Sequence, residues 1–356
     1  MKQHRKALAS SRRNMLTKII KHPQSLLAQE EKGENSTPVF REVDLTSYTS
    51  AMEHYWQQSK ESLLPSAEQL AATQIAPLER LFSALPAKHP QAQQIARLLS
   101  QAYQLAGILV SHRNNFRQCA LYCQRAVQLA EEAQDSTLLV AALVKLGVTF
   151  YYADQPQQAG AIYRQALTSC QGVSPLLQCS LSMKRAAVFA QFGQEQEAMR
   201  LLEEVYRAFP SHPERDPAFL YADCGVPSLS LWDGLTHLAL GESNAGRSAA
   251  PSHLLRAWET FAPFGGAQPS LVISERNRLE ILNHQAITAT YLGDLERVEA
   301  YLIQGILGAR HLGSSHRYAE AIECYRLART RWPNEIRIQR LASWFLDEIS
   351  PNSDRV

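Results

Sequence analysis

The sequence predicts an all-α chain of stacked helical hairpins, and three observations predict it. Four segments share one apolar template at i, i+3, i+4, i+7, i+8 and i+11, a helical stripe rather than a strand pattern. A small residue (Gly107, Gly147, Ala186, Ala286) stands 12 positions ahead of each copy, where it lets a neighbouring helix come close. No run of alternating β-branched residues extends beyond a few positions. A single hairpin of this kind cannot bury its apolar face alone, so consecutive units must stack.

The elements follow in order. Residues 1–43 are polar and irregular, with the loop composition Lys32-Gly33-Glu34-Asn35-Ser36-Thr37-Pro38, and form a basic N-terminal arm. From Leu45 the residues Tyr48, Met52, Tyr55 and Trp56 fall on one helical stripe. Pro65 and Ser66 separate this helix from a second, marked by Leu70, Leu78, Leu81, Phe82 and Leu85 and ended by Pro86 and Pro90. Residues 44–90 are thus expected to be a helical pair packing on an array at 91–350, with a short tail at 351–356.

Within the array the first template copy is Cys119, Tyr122, Cys123, Ala126, Val127 and Ala130. The second is Ala159, Ile162, Tyr163, Ala166, Leu167 and Cys170, and the third Ala198, Leu201, Leu202, Val205, Tyr206 and Phe209. The fourth is Val298, Tyr301, Leu302, Gly305, Ile306 and Ala309; Ala321, Cys324, Tyr325 and Ala328 keep part of it before Trp332-Pro333. The first three start 40 and 39 residues apart, and the next gap of 100 leaves room for two units plus an insertion, placed at 241–251. Ser174-Pro175, Asp135-Ser136 and Asp294 sit where helix starts are expected, and Gly193 and Gly293 in hairpin turns.

Composition bounds the function. The 356 residues are 45% hydrophobic and 20% charged, which excludes a disordered or collagen-like chain. With 36 basic and 34 acidic residues, the net charge of +2 does not indicate a globally basic nucleic-acid binder. Seven basic residues and no acid lie in 1–29 (Lys2, Arg5, Lys6, Arg12, Arg13, Lys18, Lys21), enough for weak contact with an anionic surface. Ser11-Arg12-Arg13-Asn14-Met15-Leu16-Thr17-Lys18 has the look of a twin-arginine export signal, but the apolar stretch such a signal needs is missing after Ile19-Ile20. The most apolar stretch, 138–153, contains Lys145 and is too short to span a bilayer, so a cytoplasmic protein is expected. Six cysteines form no C-x-x-C pair; Cys119 and Cys123 share a helix face and are expected to pack rather than bind metal.

Several positions resemble the tetratricopeptide repeat (TPR), whose pattern is W-x2-L-G-x2-Y, then A-x3-F, then proline. Leu146-Gly147-x2-Phe150 followed by Ala159-x3-Tyr163 and Ala166 fits it, as does Ala198-x3-Leu202 with Pro210; Trp232-x2-Leu235 starts a degenerate unit. The resemblance spans about 91–332, with a period near 40 instead of 34. It implies a TPR-like right-handed superhelical solenoid of antiparallel helix pairs. The layout also resembles the helical halves of bacterial helix-turn-helix/TPR transcriptional regulators, with Arg12-Arg13-x-x-Leu16 and Tyr55-Trp56 ahead of long units. Too few residues precede Leu45 for a helix-turn-helix, so that resemblance implies a peptide-sensing half without its own DNA-binding domain.

No H-E-x-x-H, G-x-S-x-G, phosphate loop or dinucleotide fingerprint occurs among the motifs of this sequence. Asp223-Cys224-Gly225 lies in a Pro-rich connector without a histidine placed to activate the thiol, and Glu131-Glu132 and Glu203-Glu204 fall on polar helix faces. A non-catalytic protein with no cofactor and no metal is expected, binding a protein or peptide. In the TPR family the first helix of each hairpin lines a concave groove. That resemblance places Gln101, Gln104 and His112, then Lys145, Val148 and Tyr152, then Met183, Lys184 and Gln191, then Asn283, His284, Ile287 and Tyr291 on the groove. Such amides, aromatics and single charges suit an extended peptide. The paired asparagines of a chaperone-type carboxylate clamp are missing.

Overall fold

The computed structural model describes residues 44–345, apart from 61–66, 87–88, 223, 245–247, 249 and 265–272. The basic arm, the arginine-rich segment and the tail lie outside the described residues. The chain divides into two units between Asp44 and Leu45, and the second is described here.

Helix α1 (Thr46–Lys60) precedes α2, which runs Ala67–Leu70, passes through a π-turn at Ala71–Ile75 and continues as Ala76–Ala84. The hairpins follow: α3 (Pro90–Ser111) with α4 (Phe116–Glu132), α5 (Ser136–Tyr152) with α6 (Pro156–Thr168), and α7 (Pro175–Gln191) with α8 (Glu195–Ala208). Next come α9 (Val226–Ser243) with α10 (Ala250–Phe261), α11 (Glu275–Leu292) with α12 (Leu295–Leu312), and α13 (Ser315–Arg331) with the short α14 (Ile336–Leu341). No strand occurs among the described residues. The fold is all-α and TPR-like, with α1 and α2 both packed on α3. None of these helices is long and apolar enough to cross a membrane.

The turns explain the regular pairing. In four hairpins one left-handed residue ends the first helix and the next opens the second: Asn114 (φ 58°), Asp154 (φ 57°), Gly193 (φ 72°) and Gly293 (φ 87°). Asn115, Asp135, Ser174, Asp294 and Ser314 then cap helix N-termini by accepting a backbone N–H.

The template lies on the second helix of its hairpin, and the small residue ahead of it on the first. A Cβ at residue 107 would stand 3.1 Å from Cys123 Sγ. Two expectations need correction. The gap between the third and fourth copies holds one hairpin, α9/α10, flanked by long connectors. Its second helix carries the template as Ala250, His253, Leu254, Ala257, Trp258 and Phe261; of the expected insertion, Gly241 and Ser243 belong to α9 and Ala250 and Pro251 to α10. The partial fifth copy lies on α13, a first helix, which packs against both α11 and α12 and is therefore apolar on two sides.

The stack brings its first and last hairpins together. His316 N donates to His112 O at 3.0 Å, and His112 Nδ1 lies 3.2 Å from Ser314 Oγ. The N-terminus of α13 therefore abuts the C-terminus of α3, and the inner face of the first helices bounds a pocket.

Candidate functional site

The pocket has a volume of about 100 Å³. Helix α5 supplies Lys145, Val148, Thr149 and Tyr152 at helical spacing, α7 supplies Lys184, and α9 supplies Trp232. Helix α11 adds Arg276, Asn277 and Glu280, and His112, His316 and Arg317 close one end. Cys119 and Cys123 of α4 form part of the floor, with Cys119 Sγ 3.1 Å from Thr149 Oγ1. Hydrogen bonding to Cys123 lowers the Cys119 thiol, while Cys123 is raised well above its ordinary value.

Lys145 and Lys184 occupy equivalent positions on consecutive first helices. Lys145 Nζ donates to Tyr221 O at 2.7 Å and sits 5.3 Å from the Trp56 ring centroid. Lys184 Nζ donates to Ser180 Oγ at 2.8 Å and sits 5.2 Å from the Trp232 ring. Each ammonium thus stands over an aromatic ring at the pocket wall.

Tyr152 links four helices. Its hydroxyl donates to Glu280 of α11, and its ring meets Trp232 of α9 at 6.1 Å and His316 of α13 at 5.4 Å. Arg317 bridges Glu280 and Glu320 with its two terminal nitrogens. Burial pushes Glu280 up, to about 7, against the pull of Arg317. Burial also works against the Glu320 charge, but Arg317, His316 and His284 hold it down at about 2. Desolvation disfavours a charged Arg317, and the two carboxylates more than offset this, so its pKa is raised. Desolvation lowers His284 and His316 to about 4 and His112 well below its ordinary value, so all three are neutral at pH 7.

Of the residues expected on the groove, the structure gathers His112, Lys145, Val148, Tyr152 and Lys184 at the pocket. The others are not among its lining residues. Gln104 is buried and donates to Ser100 Oγ, Met183 lies in the main core, and the Asn283 amide donates to Arg317 O at 3.0 Å. Gln101 is half-buried on α3 and Gln191 is exposed at the end of α7. His284 stacks on Phe261, and Ile287 and Tyr291 pack against the core. The reason is geometric: each first helix has neighbours on several sides, so only a narrow stripe of it faces the pocket. Arg276, Glu280, Trp232, His316 and Arg317 were missed. Their one sequence signal is the polar stripe Arg276, Glu280, His284 at i, i+4, i+8 on α11, a helix without a clean apolar face.

A second, open depression of about 580 Å³ lies between α8, α9 and α10, lined by Met199, Tyr206, Arg207, Asp233, His237 and Arg256 among others. Tyr206 OH donates to Asp233 at 2.5 Å, His237 Nε2 is 3.4 Å from Asp233, and His237 Nδ1 faces His253 Nδ1 at 2.9 Å. His253 Nε2 is 3.3 Å from Glu195.

A family model described as a tetratricopeptide repeat matches residues 141–170, which span most of α5 and all of α6. The chain is similar to a solved structure described as the crystal structure of NprR in complex with its cognate peptide NprX, with 15% identity and a TM-score of 0.48. That similarity covers 87% of this chain and 88% of the other. No curated protein matches the sequence.

Proposed function

We propose that the chain is a non-catalytic, TPR-like receptor that binds a short peptide and holds one acidic group of it in the inner pocket. The observation that carries this is the pocket's composition. Among its described lining residues, four cationic side chains (Lys145, Lys184, Arg276, Arg317) stand beside one carboxylate, Glu280, and the aromatic walls Tyr152 and Trp232. Charge-assisted hydrogen bonds to a carboxylate are roughly twice as strong as neutral ones. Drug-sized ligands need roughly 300 Å³ or more. A space of about 100 Å³ therefore suits a single side chain or a chain terminus, with the remaining peptide lying outside it.

The test is selection from a random displayed-peptide library, followed by fluorescence anisotropy with the enriched peptides. Replacing the acidic group of a selected peptide by its amide should weaken binding at least about tenfold. Lys184→Met and Arg276→Ala should do the same. Absence of any enriched peptide, or affinity indifferent to all three changes, refutes the reading.

A second reading, a peptide-sensing regulatory module of the helix-turn-helix/TPR type, is favoured by the run of seven basic and no acidic residues in 1–29. It is tested by duplex-DNA binding at two salt concentrations. Affinity that ignores sequence and vanishes near physiological salt counts against direct action on DNA.

A further inference from the structure

We propose that Glu280, His284 and Glu320 form a binding site for a divalent first-row transition-metal ion, independent of whether a peptide binds. Glu280 and His284 stand four residues apart on one face of α11, and Glu320 comes from the adjacent α13. One ligand atom from each lies within 4.8 Å of the other two.

The independent observation is His284 itself. Both of its ring nitrogens are buried and neither has a hydrogen-bond partner. A buried polar atom is ordinarily satisfied, because leaving it unpaired costs about 1–3 kcal/mol. Here the imidazole stands beside two carboxylates and bonds to neither. Ligands that share a tetrahedral ion at about 2.0–2.2 Å stand roughly 3.5 Å apart, too far for good hydrogen bonds to one another. An ion at the centre would give His284 the partner it lacks.

The surroundings hold these ligands in place. Arg317 contacts Glu280 Oε2 and Glu320 Oε1, and the Asn283 amide donates to Glu320 Oε2 at 3.2 Å. His284 is held against Phe261, with ring centroids 6.2 Å apart. Hydrogen-bonded carboxylates and a clamped imidazole are what orients a metal ligand set. One imidazole and two carboxylates suit zinc, cobalt, iron(II) or manganese better than a soft monovalent ion. Binding would cost the Tyr152–Glu280 and Asn283–Glu320 hydrogen bonds if the ion took those oxygens. The Arg317 charge also opposes the ion, so the expected affinity is micromolar.

Chelator-treated full-length protein would be titrated separately with Co2+ and Zn2+ by absorption and calorimetry. The expected result is one site, weak visible cobalt bands typical of nitrogen and oxygen ligands, and loss of those bands when zinc is added. His284→Gln and Glu320→Gln should each weaken binding at least about tenfold, whereas His253→Gln, in the other histidine cluster, should leave it unchanged. No uptake at millimolar ion, or affinity unaffected by both substitutions, overturns the proposal. Should a variant fail to fold, the wild-type cobalt spectrum decides: an intense thiolate band would put the ion on the cysteines and overturn it too.

Discussion

Gly147 lies under the ring of Tyr163: a Cβ on residue 147 would stand 2.1 Å from Cε1 and 2.6 Å from Cδ1. Real atoms do not approach so closely, so an alanine there must push α5 and α6 apart or turn a fully buried ring. Overpacking of this kind costs about 1–3 kcal/mol, sometimes more. Gly147→Ala should therefore lower the urea-unfolding free energy by about 3 kcal/mol, and adding Tyr163→Leu should restore part of it. A loss within error of zero would show that the hairpin does not depend on this contact.

The same ring carries an opposite prediction. The Tyr163 hydroxyl is buried and has no hydrogen-bond partner, and burial raises its pKa well above the ordinary value. An unsatisfied buried hydroxyl costs about 1–3 kcal/mol. Tyr163→Phe removes that cost and keeps the ring over Gly147. Stability should rise by about 1 kcal/mol, and destabilisation would reveal a partner for the hydroxyl in solution.

The turn between α4 and α5 holds Gln134 at φ 53°, a conformation unfavourable to a residue with a long side chain. Its side-chain carbonyl accepts from Gln93 Nε2 at 3.3 Å, in an exposed bond. Gln134→Gly should raise the melting temperature, with a gain of about 0.5–1 kcal/mol. The neighbouring cap, Asp135 accepting from Leu138 N at 3.0 Å, gives the matched control: Asp135→Ala should cost about 1 kcal/mol. A Gly variant no more stable than the wild type would show that Gln134 bears no strain.

Much of the fold was legible because it is locally encoded. Asp135, Ser174 and Asp294 cap helices as their residue types suggest, and the template marks second helices wherever a small residue precedes it. Trp232-x2-Leu235 marks α9, but its partner α10 escaped, because the template there begins Ala250, His253, with a histidine at an apolar position, and because Gly234 opposes Phe261 instead of a residue at the usual spacing. The pocket was legible only by halves. Lys145, Tyr152 and Lys184 are implied by the TPR resemblance, which puts first helices on the groove, but the residues they meet come from far along the chain. Tyr152 and Glu280 are 128 positions apart, and His112 and Ser314 are 202 apart. No local period carries that information.

The final prediction concerns pH and the histidines between α9 and α10. His237 is lowered to about 4, first by burial and then by His253 and Arg256, with Glu195 acting in the other direction. The groups facing it are Asp233 on its own helix, Tyr206 and Glu195 of α8, and His253 and Arg256 of α10. His237 and His253 face each other through Nδ1 at 2.9 Å, so one must donate and the other accept. A proton added to an accepting His237 would put two N–H groups head to head. Between the unfolded value of 6.5 and about 4 the unfolded chain binds more protons at this residue than the folded one. The His237 contribution is therefore complete above pH 6.5 and is lost as the pH falls toward and below 4, to a total on the order of 3 kcal/mol. Asp233 is raised by desolvation and acts in the opposite sense at the acid end of that window, so the comparison must be between proteins that both contain it. Urea unfolding at pH 7.5 and pH 5 should show the wild type losing more stability than His237→Gln. Equal losses in the two proteins would remove His237 as their source.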